Sequence, residues 1–271
     1  MKKRSVALSL FPAWEGMPAL YYGAEEKTLE EIKTMGYTGV DLFIDNPDLP
    51  KNRAAIRLLE SYDLEVGAIM PALLARQGLS LGAREPAARK YAIDRISKII
   101  RYASEASGMV SLGLVRGRAG QGAGREEFFK RLTKSCEELL KISVPLGVPL
   151  ILEPINRYES DHLNSAPEAL AYIKKSGLPL DLMLDTFHMN IEDGDLIASF
   201  ELCIPYTKHI HFVDSNRLAP GMGHLNMVDL YRTLERLDYQ GYLCLEALPH
   251  PSGRVCAGKG AEFFTAMGMV R

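Results

Sequence analysis

Val148-Pro149-Leu150-Ile151-Leu152-Glu153-Pro154 is an apolar run of strand length that stops on a carboxylate and a proline. Three later runs carry an acid or an imidazole at the same place. They are Leu182-Met183-Leu184-Asp185, His209-Ile210-His211-Phe212-Val213-Asp214 and Leu243-Cys244-Leu245-Glu246. The steps from Glu153 to Asp185, on to His211 and on to Glu246 are 32, 26 and 35 residues. Each step is close to one strand plus one helix, the repeat of an α/β barrel. The runs are apolar without clean alternation, as parallel strands covered on both faces should be.

The same alternation fills the chain. Strand-like runs lie at residues 5–10, 40–43, 65–70, 109–115, 148–152, 180–184, 210–213 and 242–245. Helical spacing lies between them, around residues 29–32 and at 56–62, 87–106, 126–142, 167–175, 196–200 and 228–237. A glycine precedes several strands, at Gly36, Gly147, Gly177 and Gly241 and more loosely at Gly108, and reads as a helix stop. Eight strands in 271 residues give about 34 residues per unit. The expectation is a single-domain (β/α)8 TIM barrel over residues 1–271, an α/β fold. Two long loops, residues 71–84 and 116–124, follow the third and fourth strands, where such a barrel builds its site. The last helix, read at residues 258–271, is short and Gly-rich, which puts barrel closure there in question.

Composition narrows the function. Apolar residues make up 47 % and the net charge is −2, with acids and bases interleaved. Nothing there suits coating of nucleic acid or an anionic membrane. The apolar runs are too short to cross a bilayer. The basic start, Met1-Lys2-Lys3-Arg4, is followed by an apolar stretch broken at Pro12 and Trp14, so it reads as a first strand rather than a leader. The four cysteines form no CxxC pair, and a cytoplasmic enzyme with reduced thiols is expected. No GxGxxG or GxxxxGK segment is present, which argues against nucleotide cofactors. A homo-oligomer is left open.

Glu153, Asp185, His211 and Glu246 should ring one mouth of the barrel. Three carboxylates crowded there repel unless a positive charge sits among them. Three carboxylates and one imidazole suit one divalent ion, Mn²⁺, Mg²⁺, Co²⁺ or Zn²⁺.

The residues around these four carry a resemblance. Glu153-Pro154-Ile155-Asn156-Arg157-Tyr158-Glu159 is similar to the fifth-strand motif of the xylose-isomerase-like TIM-barrel superfamily, in its ketose 3-epimerase branch. The similarity runs on through Asp185-Thr186-Phe187-His188-Met189-Asn190-Ile191-Glu192, Asp214-Ser215-Asn216-Arg217, Pro220-Gly221, Gly223-His224 and Glu246. Gln77-Gly78-Leu79-Ser80 and Gly113-Leu114-Val115-Arg116-Gly117-Arg118 resemble a subgroup acting on keto-sugar acids, 5-keto-L-gluconate epimerase. The resemblance implies that Glu153, Asp185, His211 and Glu246 are metal ligands, that Glu153 and Glu246 are also the catalytic acid–base pair, and that Glu159, His188 and Arg217 bind substrate.

The chemistry agrees with those roles. A C–H proton beside a ketone needs a polarised carbonyl, and two carboxylates on opposite faces of an enediolate would invert the carbon. Return of the proton to the neighbouring carbon would give aldose–ketose isomerisation with the same residues. Arg116 and Arg118 are expected to bind an acid group at the far end of a sugar-acid substrate. Trp14 is either a wall for sugar carbons or core. His188 is read in the loop after the sixth strand, and His209 as facing the helices, opposite His211. His162 and His250 are read as surface residues, and His224 as a group supporting the site or a helix-start residue. The alternatives are an inosose isomerase or dehydratase with the same metal set, an AP-endonuclease-like DNA repair enzyme, which would need more histidines, and a non-catalytic sugar-binding barrel.

Overall fold

Eight parallel strands close into a barrel in the computed structural model, which describes residues 3–120 and 124–269. The strands are β1 (Lys3–Ser9), β3 (Gly39–Phe43), β4 (Glu65–Met70), β5 (Met109–Leu112), β6 (Leu150–Leu152), β7 (Asp181–Asp185), β8 (Thr207–His211) and β9 (Tyr242–Leu245). A two-residue strand, β2 (Tyr21–Tyr22), pairs alongside β1. Each barrel strand pairs with its neighbour in chain order, and β1 pairs with β9 through Ser5 opposite Cys244 and Val6 opposite Leu245. The barrel is therefore closed, and the eight expected strands are the eight observed.

Among the described residues ten α-helices lie between the strands: α1 (Glu26–Thr34), α2 (Pro50–Ser61), α3 (Ala72–Arg76), α4 (Pro86–Glu105), α5 (Gly124–Ser143), α6 (Ala166–Ser176), α7 (Thr186–Glu192), α8 (Leu196–Cys203), α9 (Met227–Arg236) and α10 (Gly253–Ala266). The long helices carry apolar stripes at helical spacing, such as Ile96, Ile99, Ile100 and Ala103 on α4. Each such branched side chain, buried against the strands, contributes about 1.5–3 kcal/mol. Ser165 caps α6 by accepting the Glu168 N–H, and Gly177 ends it in the left-handed region at φ 67°.

Three expectations about local structure change. The long loop at residues 71–84 contains the one-turn helix α3. The stretch after the sixth strand is helix α7, so His188 is helical. The last helix starts at Gly253, not Gly258, and its Cys256, Ala257, Gly260, Ala261 and Phe264 are buried. Gly260 has no room for a side chain, because a Cβ there would meet Leu245 at 2.6 Å. The glycines of that helix thus let it pack closely, and closure is not compromised.

Alternate strand residues face the barrel interior. Ala7, Phe43, Ala68, Met70, Ile151 and Met183 form a small apolar cluster there with Phe11, Met17 and Ala19. The rest of the core lies between strands and helices. The interior also holds a buried polar set, Ser5, Asp41, His209, His211 and Ser111. Among the described residues no helix is long and apolar enough to cross a membrane.

Candidate metal centre and active-site cavity

The four expected ligands sit at the C-terminal ends of consecutive strands, β6 to β9. Glu153 follows β6, and Pro154, lacking an N–H, stops the ladder there. Asp185 ends β7 and is also the N-cap of α7. Its Oδ1 accepts the Phe187 N–H at 2.7 Å, while its Oδ2 is buried without a hydrogen bond. His211 ends β8, and Glu246 follows β9. His211 Nδ1 lies 3.6 Å from Glu153 Oε1, 3.6 Å from Asp185 Oδ2 and 3.5 Å from Glu246 Oε2, also without a hydrogen bond. Glu153, Asp185 and His211 each offer a ligand atom, all within 4.8 Å of one another. Buried polar atoms are rarely left unpaired. A cation at the centre would satisfy Asp185 Oδ2 and His211 Nδ1 together, and oxygen donors with one imidazole fit a divalent ion.

The electrostatics of these groups are opposed. Burial pushes Glu246 up to about 7, with Glu153 and Asp185 adding repulsion against the pull of His211 and Arg217. Burial also raises Glu153 and Asp185, but the neighbouring imidazoles and Arg217 outweigh it. His211 and His188 hold Glu153 below its usual range, and His188, His211 and Arg217 hold Asp185 well below. Burial disfavours charge on His211, but Glu246, Asp185, Asp41 and Glu153 raise it far above its ordinary value. Without an ion, a protonated His211 supplies the missing positive charge.

Behind His211 stands a carboxylate that the sequence reading missed. Asp41, buried in β3, places Oδ2 3.4 Å from His211 Nε2 and 2.5 Å from His209 Nε2, while its Oδ1 accepts the Ser5 hydroxyl at 3.0 Å. Metal-binding imidazoles are commonly oriented by a carboxylate on the other ring nitrogen. His209 therefore does not face the helices. Residues two apart on a strand share a face, so His209 and His211 both point inward, with ring centroids 5.4 Å apart. An acid inside the apolar run Gly39-Val40-Asp41-Leu42-Phe43 was the signal for Asp41.

Next to the four lies a cavity of about 200 Å³. Glu153, Glu246, Glu159, His188 and Arg217 form its polar wall. Arg217, in the left-handed region at φ 57°, donates from Nη2 to Glu246 Oε2 at 2.6 Å, and its Nη1 is 3.5 Å from Glu159 Oε1. Buried Asp214 organises the loop that presents it, accepting the N–H groups of Ser215, Gly221 and Leu225. The apolar wall is Trp14, Phe43, Met70 and Ile155, with Trp14 stacked on Phe11 at 5.8 Å. Arg76 also lines the cavity, its guanidinium 4.8 Å from the Trp14 ring.

Arg116 and Arg118 are not brought to the cavity. Arg116 is 1 % exposed and hydrogen-bonds the Leu112 and Glu153 carbonyls, and burial pulls it down to about 10. It turned inward because η1 (Leu114–Arg116), a short 3₁₀ turn, follows β5 directly. Arg118 is exposed and donates to the Glu159 carbonyl at 3.2 Å. Both arginines brace the backbone of site residues from outside. In the Gly-rich loop beyond them, residues 121–123 lie outside the described residues. His224 is exposed and pairs with the Ser215 hydroxyl at 2.9 Å. His162 is not a surface residue but is buried edge-on against Phe128, with centroids 4.7 Å apart.

Over 128 residues the chain is 31 % identical to a D-psicose 3-epimerase of Ruminiclostridium cellulolyticum, covering 47 % of this chain and 44 % of that protein. Over 136 residues it is 31 % identical to a 3-dehydro-D-guloside 4-epimerase of Escherichia coli, covering 50 % of each. These matches span half or less of those relatives' lengths. Among solved structures, an L-ribulose 3-epimerase superposes with a TM-score of 0.81 at 20 % identity, covering 99 % of this chain and 95 % of that one. A family model described as xylose isomerase-like TIM barrel matches residues 29–267, nearly the whole barrel with all four candidate ligands, and the chain belongs to that family.

Proposed function

We propose that this protein is a metal-dependent sugar epimerase that inverts a carbon next to a ketone, with C3 of a free ketose or keto-sugar acid as the reacting centre. The reading rests on one observation above the others: His211 Nδ1 faces Glu153, Asp185 and Glu246 together, and two of those carboxylates also line the cavity. Glu153, Asp185, His211 and Glu246 would hold one divalent ion, Mn²⁺ by preference. Such an ion polarises the carbonyl of a bound ketose and lowers the acidity barrier at the adjacent C–H.

The chain's own groups do the rest. Glu153 and Glu246 sit on strands three apart around the rim, so a sugar carbon between them is open to one carboxylate on each face. One removes the proton, and the other returns a proton to the opposite face of the planar enediolate. His188, Glu159 and Arg217 hold the oxygens around that carbon. The apolar wall covers the sugar's carbon face and excludes water. Arg76, rather than Arg116 or Arg118, is the cation available to a substrate carboxylate. The four cysteines are buried and unpaired, which supports a cytoplasmic enzyme.

A second reading, epimerisation at C4, is favoured by the similarity to the 3-dehydro-D-guloside 4-epimerase. It uses the same residues on a substrate shifted by one carbon. One experiment separates the readings. Metal-loaded protein in D₂O is incubated with ketoses, keto-sugar acids, 3-keto-glycosides and inososes, and deuterium uptake is mapped by NMR. Uptake at C3 with inversion is expected. Uptake at C4 would shift the assignment, and no uptake on any member of the panel would contradict the function.

A further inference from the structure

Asn156 is 1 % exposed, and its amide is fully committed. Its Oδ1 accepts the Tyr158 backbone N–H at 3.0 Å. Its Nδ2 lies 3.0 Å from Glu159 Oε1 and 2.8 Å from His188 Nδ1. A backbone N–H can only donate, so the oxygen end of the amide must face Tyr158. An amide nitrogen can only donate, so one Nδ2 hydrogen goes to Glu159 Oε1. The second hydrogen is then left for His188 Nδ1. An amide nitrogen accepts nothing, so a hydrogen on His188 Nδ1 would meet a donor head-on.

From this geometry we infer that Asn156 is a positioning residue that locks His188 as the neutral Nε2–H tautomer, a hydrogen-bond donor at the cavity wall. Imidazolium is excluded by the same contact, because it too carries a hydrogen on Nδ1. His188 Nε2 lies 3.8 Å from Asp185 Oδ2, beyond hydrogen-bond range, so among the described residues its hydrogen is not used up. The donor is available to an oxygen of whatever occupies the cavity. His188 cannot then be the base, since the nitrogen that faces the cavity already carries its hydrogen. Proton removal is left to the two glutamates. The tautomer follows from the hydrogen bonds alone; its use on a sugar oxygen rests on the function proposed above.

The test is nitrogen NMR of ¹⁵N-histidine-labelled, Mg²⁺-loaded protein, with the His188 signals assigned by their loss in His188→Gln. In the unmodified protein Nδ1 is expected to resonate as a bare, pyridine-type nitrogen and Nε2 as a protonated, pyrrole-type one. Asn156→Asp puts an acceptor opposite Nδ1 and should move the hydrogen onto it. Asn156→Ala should leave a mixture. Each variant should also lose at least about 10-fold in kcat, below the 10²–10³ typical for removing one fixed donor outright. A protonated Nδ1 in the unmodified protein overturns the inference, whether or not any variant folds. An unchanged Nε2–H form in Asn156→Ala would also overturn it, because the tautomer would then be set elsewhere. The spectra are read without substrate, so they stand even if no sugar reacts.

Discussion

Glu246→Gln, compared at equal metal content, is expected to lower kcat by about 10²–10⁴-fold, and Glu153→Gln by a similar factor. Glutamine has nearly the shape of glutamate and keeps a carbonyl oxygen for the ion. It cannot take up or give back a proton at neutral pH. The loss should therefore appear in kcat more than in KM, since substrate contacts through His188, Glu159 and Arg217 survive. Glu246 carries a second consequence. Arg217 donates to its Oε2 at 2.6 Å, and a neutral amide would leave that guanidinium facing Glu159 alone. Rapid-quench kinetics with metal quantified in the same samples would check both. A variant that keeps its ion and most of its kcat removes that glutamate from the proton-transfer pair.

Metal affinity is expected to rise steeply with pH. Burial puts the Glu246 carboxyl near 7 in the ion-free site, so it holds a proton at pH 6 and has lost it at pH 8. His211, raised far above its usual value by the surrounding carboxylates, holds a proton across this range. An ion needs both groups deprotonated, so it must displace one proton above pH 7 and nearly two below it. For each unit the pH is lowered, the apparent dissociation constant should therefore increase by about 10-fold above pH 7 and by a factor approaching about 100 below it. Calorimetric titration with Mn²⁺ at pH 6.0, 7.0 and 8.0, in buffers of different ionisation enthalpy, would count the protons released. A flat affinity over that range would mean that the ion is not held by Glu246 and His211 together.

The barrel and the four rim residues were legible because they depend on pattern. An acid or imidazole after each of four apolar runs, one repeat apart, has few other meanings in a closed parallel sheet. What was not legible depends on where side chains turn. Arg76 lies in the loop at residues 71–84 and Arg116 opens the loop at residues 116–124, and the two have the same chemistry in the sequence. Only the 3₁₀ turn after β5 decides that Arg116 goes under the barrel rim, and only the one-turn helix α3 carries Arg76 to the cavity. The inward pair His209 and His211 follows from strand period, and reading them as opposed was an error of geometry. Asp41 was passed over because it lies 112 residues before the first rim ligand, and only barrel closure joins them. Asn156 stood inside the most recognisable motif, yet its three hydrogen bonds belong to residues 158, 159 and 188 in a tertiary arrangement.

The central claim is that one divalent ion sits among Glu153, Asp185, His211 and Glu246, at the edge of the cavity. A second group of buried candidate ligands, Asp41, His209, His211 and Cys244, lies directly behind it. Diffraction from Mn²⁺-soaked crystals, with data collected at the manganese edge, distinguishes the two. A single anomalous peak is expected about 2.0–2.4 Å from the nearest oxygens of Glu153, Asp185 and Glu246 and from His211 Nδ1. A peak between Asp41 and Cys244 instead, or none within reach of the three rim carboxylates, would contradict it.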